Sequence, residues 1–339
     1  MDSKPDFPPI FLCCRRVMAD LLRPLLGSVT IAFLIDRGRG FEPMAKLFQI
    51  VVAVLRLPPI SFTLVLLILC PVSLLAEDHR SATAGGYKLV WSDEFDQDGP
   101  PNPENWTYEQ GFVRNEELQW YQEQNAVCKA GMLVIEAKKE QVKNSHYEAD
   151  SSDWLRNREF AEYTSACVLT RGKDQWKYGR FVMRGRIDAR LGLWPAFWTL
   201  GSARGWPGCG EIDVMEYYTG DLLANVCWQG RNRAPAWDAT NHSLAKWNPN
   251  WADEFHIWQL DWNSEAIKIS VDGEVLNETD LEEAVNQDRG RSEPFQEPHY
   301  LMLNLAIGGT RGGDPSKTEF PARFEVDYVR VYQVAEKPN

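Results

Sequence analysis

The chain has 339 residues, 44% of them hydrophobic, with 36 Lys+Arg against 48 Asp+Glu and a net charge of −12. That composition is globular and long enough to bury a large core, while the acidic balance removes the usual electrostatic grip on a phosphate backbone, so nucleic acid is not an expected partner. Fourteen Trp and eleven Tyr supply flat rings with polar edges, which suit sugar faces as well as cores.

The first predicted element is a leader over residues 1–76. Its apolar run from Pro58 to Ala76, with Lys46 and Arg56 upstream and Glu77-Asp78 after it, reads as a secretory signal. The run is broken by Pro71 and is short against the roughly 20 residues a bilayer span needs. Cleavage near Ala76 is expected, an uncleaved membrane anchor being the alternative. Met44 offers a more ordinary signal start, which would make residues 1–43 an upstream extension. The expected destination is export: secretion, periplasm or cell envelope. Residues 77–339 then form a single domain, expected to be monomeric. That part holds Cys128, Cys167, Cys209 and Cys227, which could be paired or remain buried thiols.

From Tyr87 onward, short β-rich runs alternate with Gly, Pro, Asn and Asp. Residues 132–139, 179–188 and 266–276 read as antiparallel strands. Asp272-Gly273 marks a two-residue hairpin turn, and residues 324–334 alternate apolar and polar positions as a terminal strand. Asp280 to Asn286 carries the one helical signal, worth one or two turns. The fold class that follows is all-β, a sandwich or jelly roll in one domain.

The chemistry concentrates in WPGCGEIDVMEYY, residues 206–218. Acids inside an apolar strand need a reason. Glu211 and Asp213 share one face by the period-2 rule, whereas Glu216 would face the other way unless a bulge near Val214-Met215 restores it. Three carboxyls on one partly desolvated face repel one another, which leaves a protonated acid beside an ionised base. That is the equipment of a glycosidase. Trp194, Trp198, Trp206 and Trp228 lie close in sequence and could flank a sugar chain.

With that motif in place, and with LVWSDEFD at 89–96, NEELQWY at 115–121, GLWPAFW at 192–198, LNLAIGG at 303–309 and VDYVRVY at 326–332 in order, residues 89–332 resemble glycoside hydrolase family 16, in particular its laminarinase-like, endo-β-1,3-glucanase branch. The resemblance implies a concanavalin A-like jelly roll with an open concave cleft, acting on a polysaccharide with retention of configuration. It implies Glu211 as nucleophile, Glu216 as acid/base and Asp213 as the modulator between them, with no cofactor for catalysis. It further implies sugar contacts at Asn115, Glu116, Trp194, Trp198, Trp206 and Trp228, the first two bordering the negative subsites. A structural Ca2+ would be held by Glu94, the Gly131 carbonyl and Asp327. Cys227 departs from the branch, which commonly carries His there. A galactanase of the agarase, porphyranase or carrageenase kind is the alternative, for which Arg231 and Arg233 could bind sulfate; a transglycosylase or a non-catalytic glucan-binding protein are further readings.

Overall fold

The structure is a computed structural model that describes residues 86–335. The leader, the start at Met44 and the cleavage point near Ala76 lie outside the described residues. No helix among the described residues is long and apolar enough to cross a membrane.

Among the described residues, nineteen strands follow in chain order. They are β1 (Tyr87–Asp93), β2 (Thr107–Tyr108), β3 (Gln119–Tyr121), β4 (Ala126–Cys128), β5 (Leu133–Ala137), β6 (Val142–Lys143) and β7 (Phe160–Ala161). Next come β8 (Tyr163–Ser165), β9 (Cys167–Leu169), β10 (Gly179–Arg186), β11 (Leu193–Gly201), β12 (Glu211–Tyr218) and β13 (Asp221–Gln229). The series ends with β14 (Pro235–Ser243), β15 (His256–Trp262), β16 (Ala266–Val271), β17 (Glu274–Asp280), β18 (His299–Ile307) and β19 (Ala322–Val334).

Two antiparallel sheets carry the architecture. One has eight strands in the order β17-β16-β15-β10-β19-β5-β4, with β1 paired to β19; the other has seven in the order β14-β13-β12-β11-β18-β9-β2. Alternation along each strand builds the core between them. On the seven-stranded sheet Ile212, Val214, Leu301 and Leu303 point inward, and on the eight-stranded sheet Phe181, Trp258, Leu260 and Phe324 meet them, all fully buried in one cluster. This is the expected jelly-roll sandwich.

The Asp272-Gly273 turn forms as expected, with both residues at positive φ and Val271 opposite Glu274. The helical signal at Asp280 to Asn286 yields a single turn, in which the N–H groups of Glu283 and Ala284 both reach the Asp280 carbonyl at 3.3 Å, and no longer helix. Asp280 closes β17, and the donors on either side of that turn leave the segment: Leu281 N–H goes to Glu265, Asn286 N–H to Ser292 and Gln287 N–H to Gln229. Burial of Leu281, Ala284 and Val285 in the core outweighs the weak helical preference. The four cysteines resolve as buried free thiols.

The calcium site implied by the resemblance does not fit the residues present. The two carboxylate oxygens of Glu94 take Arg330 at 2.9 and 2.7 Å, and Asp327 takes Arg184 at 2.6 Å. Two guanidinium groups therefore stand where a dication would have to displace them. Among the described residues no group of three or more His, Cys, Asp or Glu converges on a point. The two acids instead belong to a ladder on the exposed face of the eight-stranded sheet, with Arg180–Asp261 and Arg186–Glu325 as further rungs.

Candidate active site

The cleft lies on the face of the seven-stranded sheet turned away from the core. Its floor is built by β11, β12, β13 and β14, and its volume is about 830 Å3. The strand that decides the chemistry is β12. Asp213 pairs with Asn225 and Glu216 with Leu223, so three steps along β12 match two along β13. One residue is extra, as the spacing of the acids predicted. Val214 and Met215 are both fully buried, and Glu216 returns to the face that carries Glu211 and Asp213.

Each carboxyl sits in a different environment. Glu216 accepts from the Trp194 indole N–H on Oε1 at 2.8 Å and from the Asn225 amide on Oε2 at 3.3 Å. Burial, with the charge of Glu211 nearby, pushes it up to about 7 despite those two donors. Asp213 is only 2% exposed, and burial together with the charges of Glu216 and Glu211 holds it well above the usual carboxylate range. Burial raises Glu211 as well, opposed by the indole N–H of Trp206, which donates to its Oε2, and by a hydrogen bond from Asp213. Two buried acceptors on this layer, Asp213 Oδ2 and Asn225 Oδ1, find no donor among the described residues. A proton kept on Asp213 converts an orphaned acceptor into a donor, which agrees with its raised pKa.

The cleft wall beside β11 is ordered by a buried chain of hydrogen bonds. Trp198 donates to Asn304 Oδ1 at 2.7 Å, Asn304 donates to the Tyr121 hydroxyl at 3.2 Å, and that hydroxyl donates to Glu117 Oε2 at 3.2 Å. Asn115 reaches the other oxygen of Glu117 at 3.3 Å. The guanidinium of Arg114, ion-paired to Glu109, lies 5.1 Å over the Trp198 ring.

Most of the residues named from sequence converge. Asn115, Trp194, Trp198, Trp206, Glu211 and Glu216 all line the cleft, and Asp213 lies beneath. Two do not. Glu116 is exposed but is not among the lining residues, its charge acting on Arg158; the carboxylate that organises this wall is its neighbour Glu117, 3% exposed. Trp228 packs on the core side, because Cys227 shares the face of its cross-strand partner Glu211 and the next residue must point the other way. The ring that takes its place is Trp237 on β14, opposite Cys227. Arg231 and Arg233 are exposed in the turn before β14 and do not line the cleft; its cations are Arg114 and Arg311. Asn225 was also missed, since its role depends on β12–β13 register and no local pattern carries that.

Residues 114–330 match the glycosyl hydrolases family 16. The chain belongs to that family and is a glycoside hydrolase. It is 38% identical over 300 residues to a beta-glucanase of Rhodothermus marinus, covering 81% of this chain and 94% of that one. Among solved structures, one from work on the endo-acting O-glycanases with which human gut microbiota initiate mucin breakdown superposes with a TM-score of 0.69 at 32% identity, covering 75% of this chain and 93% of its own. The catalytic domain of an endo-1,3-beta-glucanase from Thermotoga petrophila superposes with a TM-score of 0.62 at 34% identity, covering 74% and 99%.

Proposed function

We propose that the protein is an exported, endo-acting, retaining β-glycanase that cleaves β-1,3-glucan. The observation that carries this reading is the bulge in β12, which sets Glu211 and Glu216 on one cleft face in unequal environments. Glu216, holding its proton up to about pH 7, protonates the glycosidic oxygen as the bond to the leaving sugar breaks. Glu211, ionised, attacks the anomeric carbon and forms the glycosyl-enzyme ester. Glu216, now a base, takes a proton from water; the hydroxide oxygen bonds to the anomeric carbon and the ester to Glu211 breaks. Trp194 and Asn225 hold both oxygens of Glu216 through these steps. The glucan assignment is supported by the relatives above and by the Trp-lined cleft.

A second reading has its own support. The likeness to the mucin O-glycanase work, and to a keratan-sulfate endo-1,4-beta-galactosidase of Sphingobacterium multivorum at 26% identity over 255 residues, supports a galactose-containing glycan, and the thiol of Cys227 beside Glu211 departs from the imidazole common in the laminarinase branch.

The test is reducing-sugar release, with product sizing, from laminarin, mixed-linkage glucan, agarose and keratan-type glycans. Oligosaccharides from laminarin are expected, and Glu211→Gln and Glu216→Gln should each remove nearly all turnover while the proteins stay folded. Cleavage restricted to galactose-containing polymers would overturn the glucan assignment and leave the two-carboxylate chemistry standing.

A further inference from the structure

Of the 14 tryptophans, only two keep large exposed rings: Trp206 at 53% and Trp237 at 45%, and both line the cleft. Trp206 is tied to the chemistry by its hydrogen bond to Glu211. Trp237 has no such tie. Its indole N–H has no hydrogen bond, and its ring has no aromatic or cationic neighbour, among the described residues. It stands on β14, the edge of its sheet, where natural proteins usually place charge rather than a large apolar ring.

Its position is set by register. Glu211 pairs with Cys227 and Cys227 with Trp237, so the ring lies two strand spacings, about 10 Å, along the cleft from the catalytic layer. Cys227 between them is fully buried and cannot obstruct the path. On the same face of β14, Pro235 and Ala239 are small, so the ring rises above its neighbours, and Asn241 presents an exposed amide farther along the cleft. The wall formed by Trp198 and Asn115 lies on the opposite side of β12.

We infer that Trp237, with Asn241, forms a sugar-binding subsite on the leaving-group side of the cleft, the ring stacking on a pyranose face and the amide meeting its hydroxyls. The assignment of the side rests on the proposed function together with the expectation, implied by the family resemblance, that Asn115 borders the negative subsites. The consequence is chemical. A sugar held at this subsite competes with water for the glycosyl-enzyme: its hydroxyl oxygen bonds to the anomeric carbon, Glu216 takes the hydroxyl proton, and the ester bond to Glu211 breaks. The subsite therefore favours transfer to a sugar acceptor as well as hydrolysis.

The test compares wild type, Trp237→Ala and Trp237→Phe on laminarin, with laminaritriose added as acceptor. Trp237→Ala should raise the KM roughly five- to ten-fold, lower kcat by less than that, and suppress products longer than the donor; Trp237→Phe should restore most of both. Wild-type KM and wild-type transfer yield in Trp237→Ala would overturn the subsite. Electrophoresis of Glu211→Gln, with and without Trp237→Ala, through gels containing laminarin or agarose separates this inference from the glucan reading. Loss of retardation with the second change in either gel upholds the subsite, and if that gel is agarose alone the glucan reading falls. Equal retardation of both variants in both gels overturns the subsite.

Discussion

Asn225 donates to one oxygen of Glu216 and Trp194 to the other, and both bonds favour the ionised carboxylate. Glu216 must be protonated to act as an acid, so activity should fall as pH rises through its pKa, about 7. Removing a donor destabilises the ionised form and raises that pKa. Asn225→Ala should therefore move the basic limb of the kcat/KM profile upward, by roughly half to one pH unit. A pH–rate profile checks the sign: an unmoved or lowered limb would remove Asn225 from this role. A residue that merely stabilised the sheet would lower activity without displacing the limb. At this scale the acids were legible in the sequence, because three carboxylates in an apolar strand are costly without a purpose. Their partners were not. Asn225 and Trp237 reach the cleft only through pairings between strands, Trp228 is turned from it for the same reason, and Glu117 acts from beneath the wall through its hydrogen bonds with Asn115, Gln119 and Tyr121.

Strand β12 carries the site through one surplus residue. Deleting Val214 would restore regular pairing and leave Glu216 four residues beyond Glu211, so the period-2 alternation of an unbulged strand would keep its carboxylate on the cleft face. The deletion should therefore keep measurable turnover, at a cost on the order of 2–4 kcal/mol for the buried side chain and strand residue that are lost. Val214→Ala keeps the residue count, so it should lose only about 2 kcal/mol and keep its activity. Urea denaturation and laminarin turnover, measured on both variants, check this; a deletion variant that stayed folded but lost its activity would show that alternation alone does not aim Glu216 and that the bulge itself is required. The bulge was legible because the parity of Glu211, Asp213 and Glu216 has no other simple solution. The stretch from Asp280 to Asn286 was legible only as the single turn it makes, since core burial and hydrogen bonds to Glu265, Ser292 and Gln229 claim the residues around it. Gly201 shows the same dependence on context: a Cβ there would lie 2.0 Å from the carbonyl oxygen of Cys209, in the approach that brings the segment before Glu211 against β11. Nothing local marks that glycine.

At the scale of the whole sandwich, the cleft sheet holds the buried acids, and the opposite sheet is braced on its exposed face by arginine–carboxylate rungs, Arg330–Glu94 and Arg184–Asp327 among them. Sequence motifs matched Glu94, Gly131 and Asp327 to a calcium site because acids and a carbonyl are what hard cations take. The arginines that oppose the acids come from separate positions along the chain, and only the assembled sheet brings each charge to its partner. The two schemes differ in what they demand of solution conditions. Were the ion structural, chelation would lower the melting temperature of the wild type, and Glu94→Ala would abolish that sensitivity. With the acids paired to arginine, melting should be the same in EDTA and in millimolar Ca2+. Glu94→Ala should then cost on the order of 1–2 kcal/mol equally in both, since it leaves a half-buried guanidinium without its bidentate partner. High salt should narrow that difference between the variant and the wild type, because an ion pair at a surface is screened, whereas a coordinated dication would respond to chelator and little to monovalent salt. Calorimetry across these conditions separates the two, and a wild-type transition that moves down in EDTA would return the calcium to the site.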